Sequence, residues 1–297
     1  MVGKVCMVTG ANSGIGKATA EGLARLGASV VMVCRDRGRG ESAKREIEAS
    51  IRGCSVELML CDLASLESVR SFAKEFARTH SSLHVLLNNA GVVSLRRSTT
   101  VDGFEATFQV NYLSHFLLTN LLLDLLQRSA PSRIVNVSSG AHFGGSIDLD
   151  DLRMTRGYGV MKAYSRSKLA QVLFTYELAR RLAGTGVTVN CLHPGAIATA
   201  LFGRPMGSAS FVAKGFRLFM PGPEQGAKTS IYLASSPEVE GVTGKYFDRM
   251  REKRSSVASY DEGLARRLWA ANESMTGLLS RTGEEGTQGD NERVVPL

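Results

Sequence analysis

Residues 4–20, KVCMVTGANSGIGKATA, decide the fold. The apolar run that ends at Thr9 gives way to a glycine-bearing turn, Gly10-Ala-Asn12-Ser13-Gly14-Ile15-Gly16, and then directly to helix-forming residues. A strand that feeds such a loop and then a helix is the opening of a dinucleotide-binding βαβ unit. Gly10 suits the tight turn, Gly14 the approach of backbone to a pyrophosphate, and Gly16 the packing of helix on sheet. The stretch through Asn12, Ser13 and Ile15 then offers helix N-terminal N–H groups to the phosphates. The glycines are spaced GxxxGxG, not the GxGxxG of the standard fingerprint.

Strand-like runs recur at 4–9, 29–34, 56–60, 83–87, 133–137 and 187–191, separated by amphipathic segments at 15–26, 65–79, 105–128 and 160–183. This alternation predicts an α/β protein: a single doubly wound, Rossmann-type parallel sheet with helices on both faces. The strands read as continuous Val, Ile, Leu and Met, as expected when both faces are covered. Gly27 suits the end of the first helix, and Ser65 with Ser68 the start of another. Residues 1–270 read as one catalytic domain. From 271 the sequence NESMTGLLSRTGEEGTQGDNERVVPL is polar and without sustained period, which reads as a flexible tail over 271–297.

The 297 residues are 43% hydrophobic, enough for a large core. Five cysteines, Cys6, Cys34, Cys54, Cys61 and Cys191, lie scattered in or beside apolar runs. They read as core thiols of a reducing compartment, and no metal site is expected. The first strand starts at the chain's beginning, so no signal peptide is expected. The longest apolar stretch, FLLTNLLLDLLQ, is interrupted by Asn120 and Asp124 and is too short to span a membrane. A cytoplasmic location follows as an expectation. The net charge of +8 is spread among acids without a nucleic-acid-binding pattern, so attraction of a phosphorylated cofactor explains it more simply than nucleic acid.

The end of the second strand bears on that cofactor. An acid there holds the ribose 2′-hydroxyl of NAD, whereas an arginine suits the 2′-phosphate of NADP. Here Cys34 occupies the place of the acid and Arg35 follows, with Lys17 a second candidate cation. NADP(H) is therefore expected, with Asp36 open between a loop role and a ribose contact.

Polar or glycine-rich pieces follow the later strands too: Asp62-Leu63, Asn88-Asn89-Ala90-Gly91, Ser138-Ser139 and His193-Pro194-Gly195 through Thr199. All fall at carboxyl ends of strands, where an open parallel sheet gathers ligands. Tyr164 and Lys168, four residues apart in AYSRSKLAQVLF, share one helical face. A phenol near a fixed cation can trade a proton with an alcohol or carbonyl.

The ordered set TGANSGIGKATA, VCRD, CDLASLESVRSFA, LLNNAG, DGFEATFQVNYLSHFLLTNLLL, RIVNVSSGAH, AYSRSKLAQVLFTYELARRL and VTVNCLHPGAIAT resembles the short-chain dehydrogenase/reductase family, in its retinol-dehydrogenase-like branch. The resemblance implies that Ser139 bonds the substrate oxygen and Tyr164 carries its proton. It implies that Lys168 lowers the tyrosine pKa and holds the nicotinamide ribose, and that Asn111 holds a water linking Lys168 to solvent. Asp62 and Leu63 would contact adenine, Asn89 the adenosine ribose, and Ile197 and Thr199, beyond Pro194 and Gly195, the nicotinamide carboxamide. His115, His142 and His193 are left as structural or substrate-lining groups. A homodimer or homotetramer paired through the long helices at 105–128 and 160–183 is also implied.

Ser139 lies twenty-five residues before Tyr164, and the excess around 142–159 resembles an insertion of the branch that covers the active-site mouth. The membrane-anchoring N-terminal segment of vertebrate members is lacking, so a soluble or peripherally attached enzyme is implied. Phe202, Met206, Phe211, Phe216, Phe219 and Met220 form an apolar, glycine-studded segment suited to a retinoid, steroid, long-chain aldehyde or aromatic ketone. A lid, a core helix and a membrane-surface contact all remain open for it. The leading expectation is hydride transfer between NADP(H) and a lipophilic alcohol/carbonyl pair. Reduction of a carbon–carbon double bond, as in protochlorophyllide reductases, and a non-catalytic NADP-binding adaptor are the alternatives.

Overall fold

Val5–Thr9 (β1) shows why consecutive strand residues are apolar: Cys6 and Val8 enter one buried layer and Met7 the opposite one. Ser29–Cys34 (β2) behaves alike, with Val30 and Met32 on one side and Val31 and Val33 on the other. The computed structural model describes residues 1–195 and 222–278. The remaining strands are Ser55–Leu60 (β3), Val85–Asn88 (β4), Ser132–Val137 (β5), Val187–His193 (β6), Lys245–Asp248 (β7) and Arg251–Lys253 (β8).

The strands form one eight-stranded sheet in the order β3-β2-β1-β4-β5-β6-β7-β8, parallel throughout except for the antiparallel β7–β8 pair. The chain runs outward from β1 to β3 and then crosses back to β4. The strand order therefore reverses between β1 and β4, the place where such sheets bind ligands. Helices Gly14–Arg25 (α1), Arg37–Ser50 (α2) and Pro223–Ser235 (α8) cover one face. Leu66–Thr79 (α3), the run from Ala106 to Arg128 and Val160–Arg181 (α7) cover the other. That run comprises Ala106–Phe108 (α4), a π-helical turn Gln109–Leu113, Ser114–Leu121 (α5) and Leu123–Arg128 (α6).

The doubly wound sheet is as expected, and each of the six strands read from apolar runs is present. The hairpin β7–β8 and helices α2, α8 and Glu262–Thr276 (α9) were not read from the sequence. Helix α2 buries only Gly40, Ala43 and Ile47, so its apolar stripe is faint. Strand β7 has four residues and only Tyr246 and Phe247 buried, too short for a period to register.

Helix α9 crosses the compositional break at 271. Its Asn272 is fully buried and donates to the Tyr112 hydroxyl, and Thr276 accepts from Arg70. Trp269 packs edge-on to Phe116 at 4.9 Å, stacks on Phe174 at 5.8 Å and lies 4.0 Å beneath the Arg181 guanidinium. Aromatic pairs of this kind add about 0.5–1.5 kcal/mol each beyond their burial. Helix α9 thus packs against α5 and α7 within the chain. The tail residues 279–297 lie outside the described residues.

Four cysteines are buried and Cys54 is half-buried; all five are free. Burial pushes the thiols of Cys6, Cys61 and Cys191 up to about 12 and that of Cys34 to about 11, so they are inert core groups. No described helix is long and apolar enough to cross a membrane. Among the described residues no cluster of His, Cys, Asp or Glu is placed to hold a metal.

Candidate active site

The loop after β1 has the shape its glycines require. Gly10 turns at a φ of 68°, and a Cβ on Gly16 would lie 2.3 Å from the Gly10 carbonyl oxygen, so the helix sits against the loop with no room for a side chain. Over Gly14 the reverse holds: a Cβ there would meet nothing within 4 Å. Ser13 stands at the N-cap of α1 without a side-chain capping bond, and the first turn has no acid. Open space over Gly14 and uncapped N–H groups make this helix end fit for a pyrophosphate. Asn12 and Ile15 flank it, both half-buried.

Thr9 organises the neighbouring strand end. Its hydroxyl accepts from the backbone N–H groups of Asn89 at 2.9 Å and Ala90 at 3.0 Å, and its carbonyl accepts from Asn89 Nδ2 at 2.8 Å. His115 Nδ1 lies 3.0 Å from the Asn111 carbonyl, which can only accept, so Nε2 is left to accept from Thr9 at 3.0 Å. Burial holds this imidazole down to about 4, neutral and structural. Nothing in the sequence marked Thr9 as the hub that joins the first and fourth strands.

At the end of β2, Arg35 is exposed and makes no hydrogen bond or ion pair with a described residue. Asp36 caps α2, its Oδ1 accepting from Arg39 N–H at 2.8 Å. The Lys17 ammonium is paired with Glu46 on α2 in an exposed ion pair. Asp62 accepts from Ala64 N–H at 3.0 Å within its turn, and the Leu63 carbonyl accepts from Ser114 at 2.6 Å. Both follow β3 and are brought to the same sheet edge as Asn89, Pro194 and Gly195. Ile197, Thr199 and the apolar segment from Phe202 to Met220 lie outside the described residues.

Ser138 and Ser139 point to different tasks. Ser138 is buried and donates to the Lys168 carbonyl at 2.9 Å. Ser139 accepts from Ala141 N–H at 3.2 Å, which leaves its own proton to act on the neighbouring Tyr164 phenol, whose pKa it draws down. Lys168 sits one turn beyond Tyr164 on α7, its Nζ 5.7 Å from the phenol ring centre. That Nζ donates to the Val137 carbonyl at 2.9 Å and to Gln171 Oε1 at 3.0 Å, leaving a third N–H. Gln171, three residues on, is a partner that sequence reasoning missed.

The electrostatics differ from expectation. Burial raises the Tyr164 phenol above its ordinary value, opposed by the Ser139 hydroxyl, and burial holds Lys168 down to about 7. Lysine does not pull the tyrosine down here, because desolvation dominates both groups and weakens the cation itself. The Asn111 side chain is also committed: Oδ1 accepts from Val92 N–H at 2.7 Å, and Nδ2 donates to the Val92 carbonyl at 3.0 Å and to Ser167 at 3.1 Å. It ties the segment after β4 to α7.

The insertion is anchored over the site's flank. Tyr158 donates to the Ser94 carbonyl at 2.5 Å, Arg97 to Met154 at 2.8 Å, and Arg166 on α7 to Asp151 at 3.0 Å.

A family model described as short chain dehydrogenase matches residues 4–205. Retinol dehydrogenase 14 of Homo sapiens is 50% identical over 296 residues, covering 94% of this chain and 88% of that protein. A crystal structure of a Mycobacterium paratuberculosis protein superposes with a TM-score of 0.76 at 37% identity, covering 93% of this chain and 94% of that one. The RhlG/NADP active-site complex of Pseudomonas aeruginosa gives a TM-score of 0.67 at 28% identity over 83% of this chain and 94% of its own.

Proposed function

We propose for this chain, which belongs to the short-chain dehydrogenase family and to its retinol-dehydrogenase-like branch, the NADP(H)-dependent interconversion of a lipophilic alcohol and its carbonyl. The observation that carries the reading is Ser139 beside the Tyr164 phenol, with the Lys168 Nζ 5.7 Å from the phenol ring centre, at the sheet edge that also holds the glycine loop. Bound at that loop, the dinucleotide supplies or takes up the hydride.

The chain's own residues divide the remaining work. The N–H groups around Asn12, Ser13, Gly14 and Ile15 hold the pyrophosphate, and Arg35 meets the 2′-phosphate. Asp62, Leu63 and Asn89 line the adenosine side and Pro194 and Gly195 the nicotinamide side, where the resemblance would also bring Ile197 and Thr199 to the carboxamide. The hydroxyls of Ser139 and Tyr164 converge on the substrate oxygen. As charge develops there, both hydrogen bonds strengthen and Tyr164 releases its proton in the reductive direction. A raised phenol pKa suits that direction, since the donor is protonated throughout neutral pH. Asn111 acts by holding the wall between the post-β4 segment and α7.

Lys168 turns cofactor binding into a proton-linked event. With its pKa at about 7 the amine is mostly neutral at about pH 8, whereas ribose oxygens and phosphates favour the ammonium. NADPH binding should therefore take up a proton from buffer at about pH 8, and progressively less as the pH falls below 7 and the lysine is already charged. Binding heats compared in buffers of different ionisation enthalpy measure this. Buffer-independent heats, or an uptake that persists in Lys168→Met, count against it.

The reaction itself is tested by following NADPH consumption with a panel of lipophilic aldehydes and ketones, retinal among them. Turnover with several apolar carbonyls and little with small polar ones is expected. Consumption only with illuminated protochlorophyllide would replace carbonyl reduction by double-bond reduction, and tight NADPH binding without turnover would favour the adaptor reading.

A further inference from the structure

The peptide group between Ser139 and Gly140 is held at both of its poles. Its carbonyl oxygen, on Ser139, lies 2.6 Å from His142 Nδ1 and also receives the His142 backbone N–H at 3.1 Å. Its N–H, on Gly140, donates to His193 Nδ1 at 3.1 Å. The tautomers follow from the partners. Since a carbonyl only accepts, His142 carries its proton on Nδ1, and its Nε2 accepts from Ser256 N–H at 3.1 Å. Since His193 Nδ1 accepts, its proton is on Nε2. His142 must be neutral to serve both its bonds, and His193 must be neutral at Nδ1 to accept from Gly140 N–H.

The surroundings enforce that neutrality and fix each ring. His142 is fully buried, tilted against Phe143 at 4.2 Å and Tyr246 at 4.8 Å. His193 faces Asp248 and Arg249, whose opposite charges act against each other. Burial is the largest influence on both rings and holds each below its ordinary value, with the neighbouring His193 pushing His142 the same way. The two rings come from distant segments. His142 hangs the serine loop on Ser256, and His193 immediately precedes Pro194 and Gly195, so one bond ties the serine backbone to the loop on the nicotinamide side.

We propose that His142 and His193 are positioning residues that grip opposite ends of the Ser139–Gly140 peptide, hold the Ser139 hydroxyl in register with Tyr164, and couple that register to the Pro194–Gly195 loop. This rests on the carbonyl reading above for its effect on turnover. Neither ring transfers a proton in the reaction, because both ring nitrogens of His142, and the unprotonated nitrogen of His193, are occupied by backbone partners. A misplacement of about 1 Å in a group that meets the reacting oxygen costs on the order of 10²-fold in rate.

The test uses His193→Phe and His193→Asn, with His142→Phe and His142→Asn beside them. Phenylalanine removes the polar contact, whereas the asparagine amide places an acceptor or donor near the position of Nδ1. Each phenylalanine variant should lose about 10-fold to 10²-fold in kcat while NADPH Kd stays within about 2-fold, and each asparagine variant should recover most of the loss. Because both rings hold one peptide, the double phenylalanine variant should fall little further than the worse single one. Gly140 amide hydrogen exchange reads the grip without substrate: slow in the wild type and in His193→Asn, fast in His193→Phe. Should the phenylalanine variants not fold, imidazole nitrogen shifts of the wild type at neutral pH decide, with a neutral Nδ1–H form for His142 and a neutral Nε2–H form for His193 expected. The opposite tautomer in either ring, additive losses, asparagine variants no better than phenylalanine ones, or parallel loss of NADPH affinity and kcat would overturn the proposal. Turnover that survives Tyr164→Phe would instead remove the carbonyl reading, while Gly140 exchange would still report on the grip.

Discussion

Tyr164→Phe should lower carbonyl reduction by about 10³-fold or more and leave NADPH affinity nearly unchanged. Positioned proton transfer contributes about 10²–10⁴-fold. A donor aimed at the developing oxyanion contributes about 10²–10³-fold. Tyr164 serves both ends, so one deletion removes both effects, and phenylalanine keeps the ring that packs near Lys168. Ser139 stays, still fixed by Ala141 N–H, and accounts for whatever rate survives. Single-turnover NADPH oxidation with the best carbonyl of the panel, beside NADPH fluorescence titration, separates the two effects. Turnover within a few-fold of the wild type would mean that the proton reaches the oxygen by another path.

Arg35→Asp should invert the dinucleotide preference, moving the NADPH-to-NADH affinity ratio by about 10²-fold. A hydrogen bond to a charged group is worth about 1.5–3 kcal/mol, and an aspartate facing a 2′-phosphate adds repulsion to the loss. For NADH the same aspartate supplies the ribose acceptor that Cys34 does not. Asp36 is engaged with the first turn of α2 and Lys17 with Glu46, whereas Arg37 and Arg39 are exposed here and their guanidinium groups make no hydrogen bond or ion pair with a described residue. Asp36→Ala is the internal control. It should cost about 1 kcal/mol of stability as a lost N-cap, read as a lowered Tm, with the NADPH-to-NADH ratio unmoved. Equal losses for both dinucleotides in Arg35→Asp would remove the 2′-phosphate argument.

Much of this was legible in the chain because the relevant signals are local. The strand, turn and helix at 4–20, the continuous apolar runs and the four-residue spacing of Tyr164 and Lys168 all act within a few residues of themselves. What escaped reading was set by which partner each side chain meets in space, some far along the chain and some within one helical turn. Asp36 was open between two roles until the α2 N-terminus claimed it, and Lys17 was a free cation until Glu46, twenty-nine residues on, reached it. The Thr9 hub depends on Asn89 and His115, and Gln171 matters only because Lys168 turns back along its own helix. The pKa ordering was misjudged for a physical reason: spacing reports the nearness of charge, but not the burial that outweighs it at both Tyr164 and Lys168. Helix α9 went unread because its polar, solvent-facing residues dilute the few that are buried, Leu268 and Trp269 among them.

That last helix has a consequence for how the protein can change over generations. Across a two-fold axis every substitution is made twice and must complement its own copy, so few changes are tolerated. Phe116, Phe174 and Trp269 meet within a single chain, and a substitution at one can be answered by a different substitution at another. In the aromatic seam beneath α9 each ring meets a different residue of its own chain and never its own copy, so the three positions can drift pairwise.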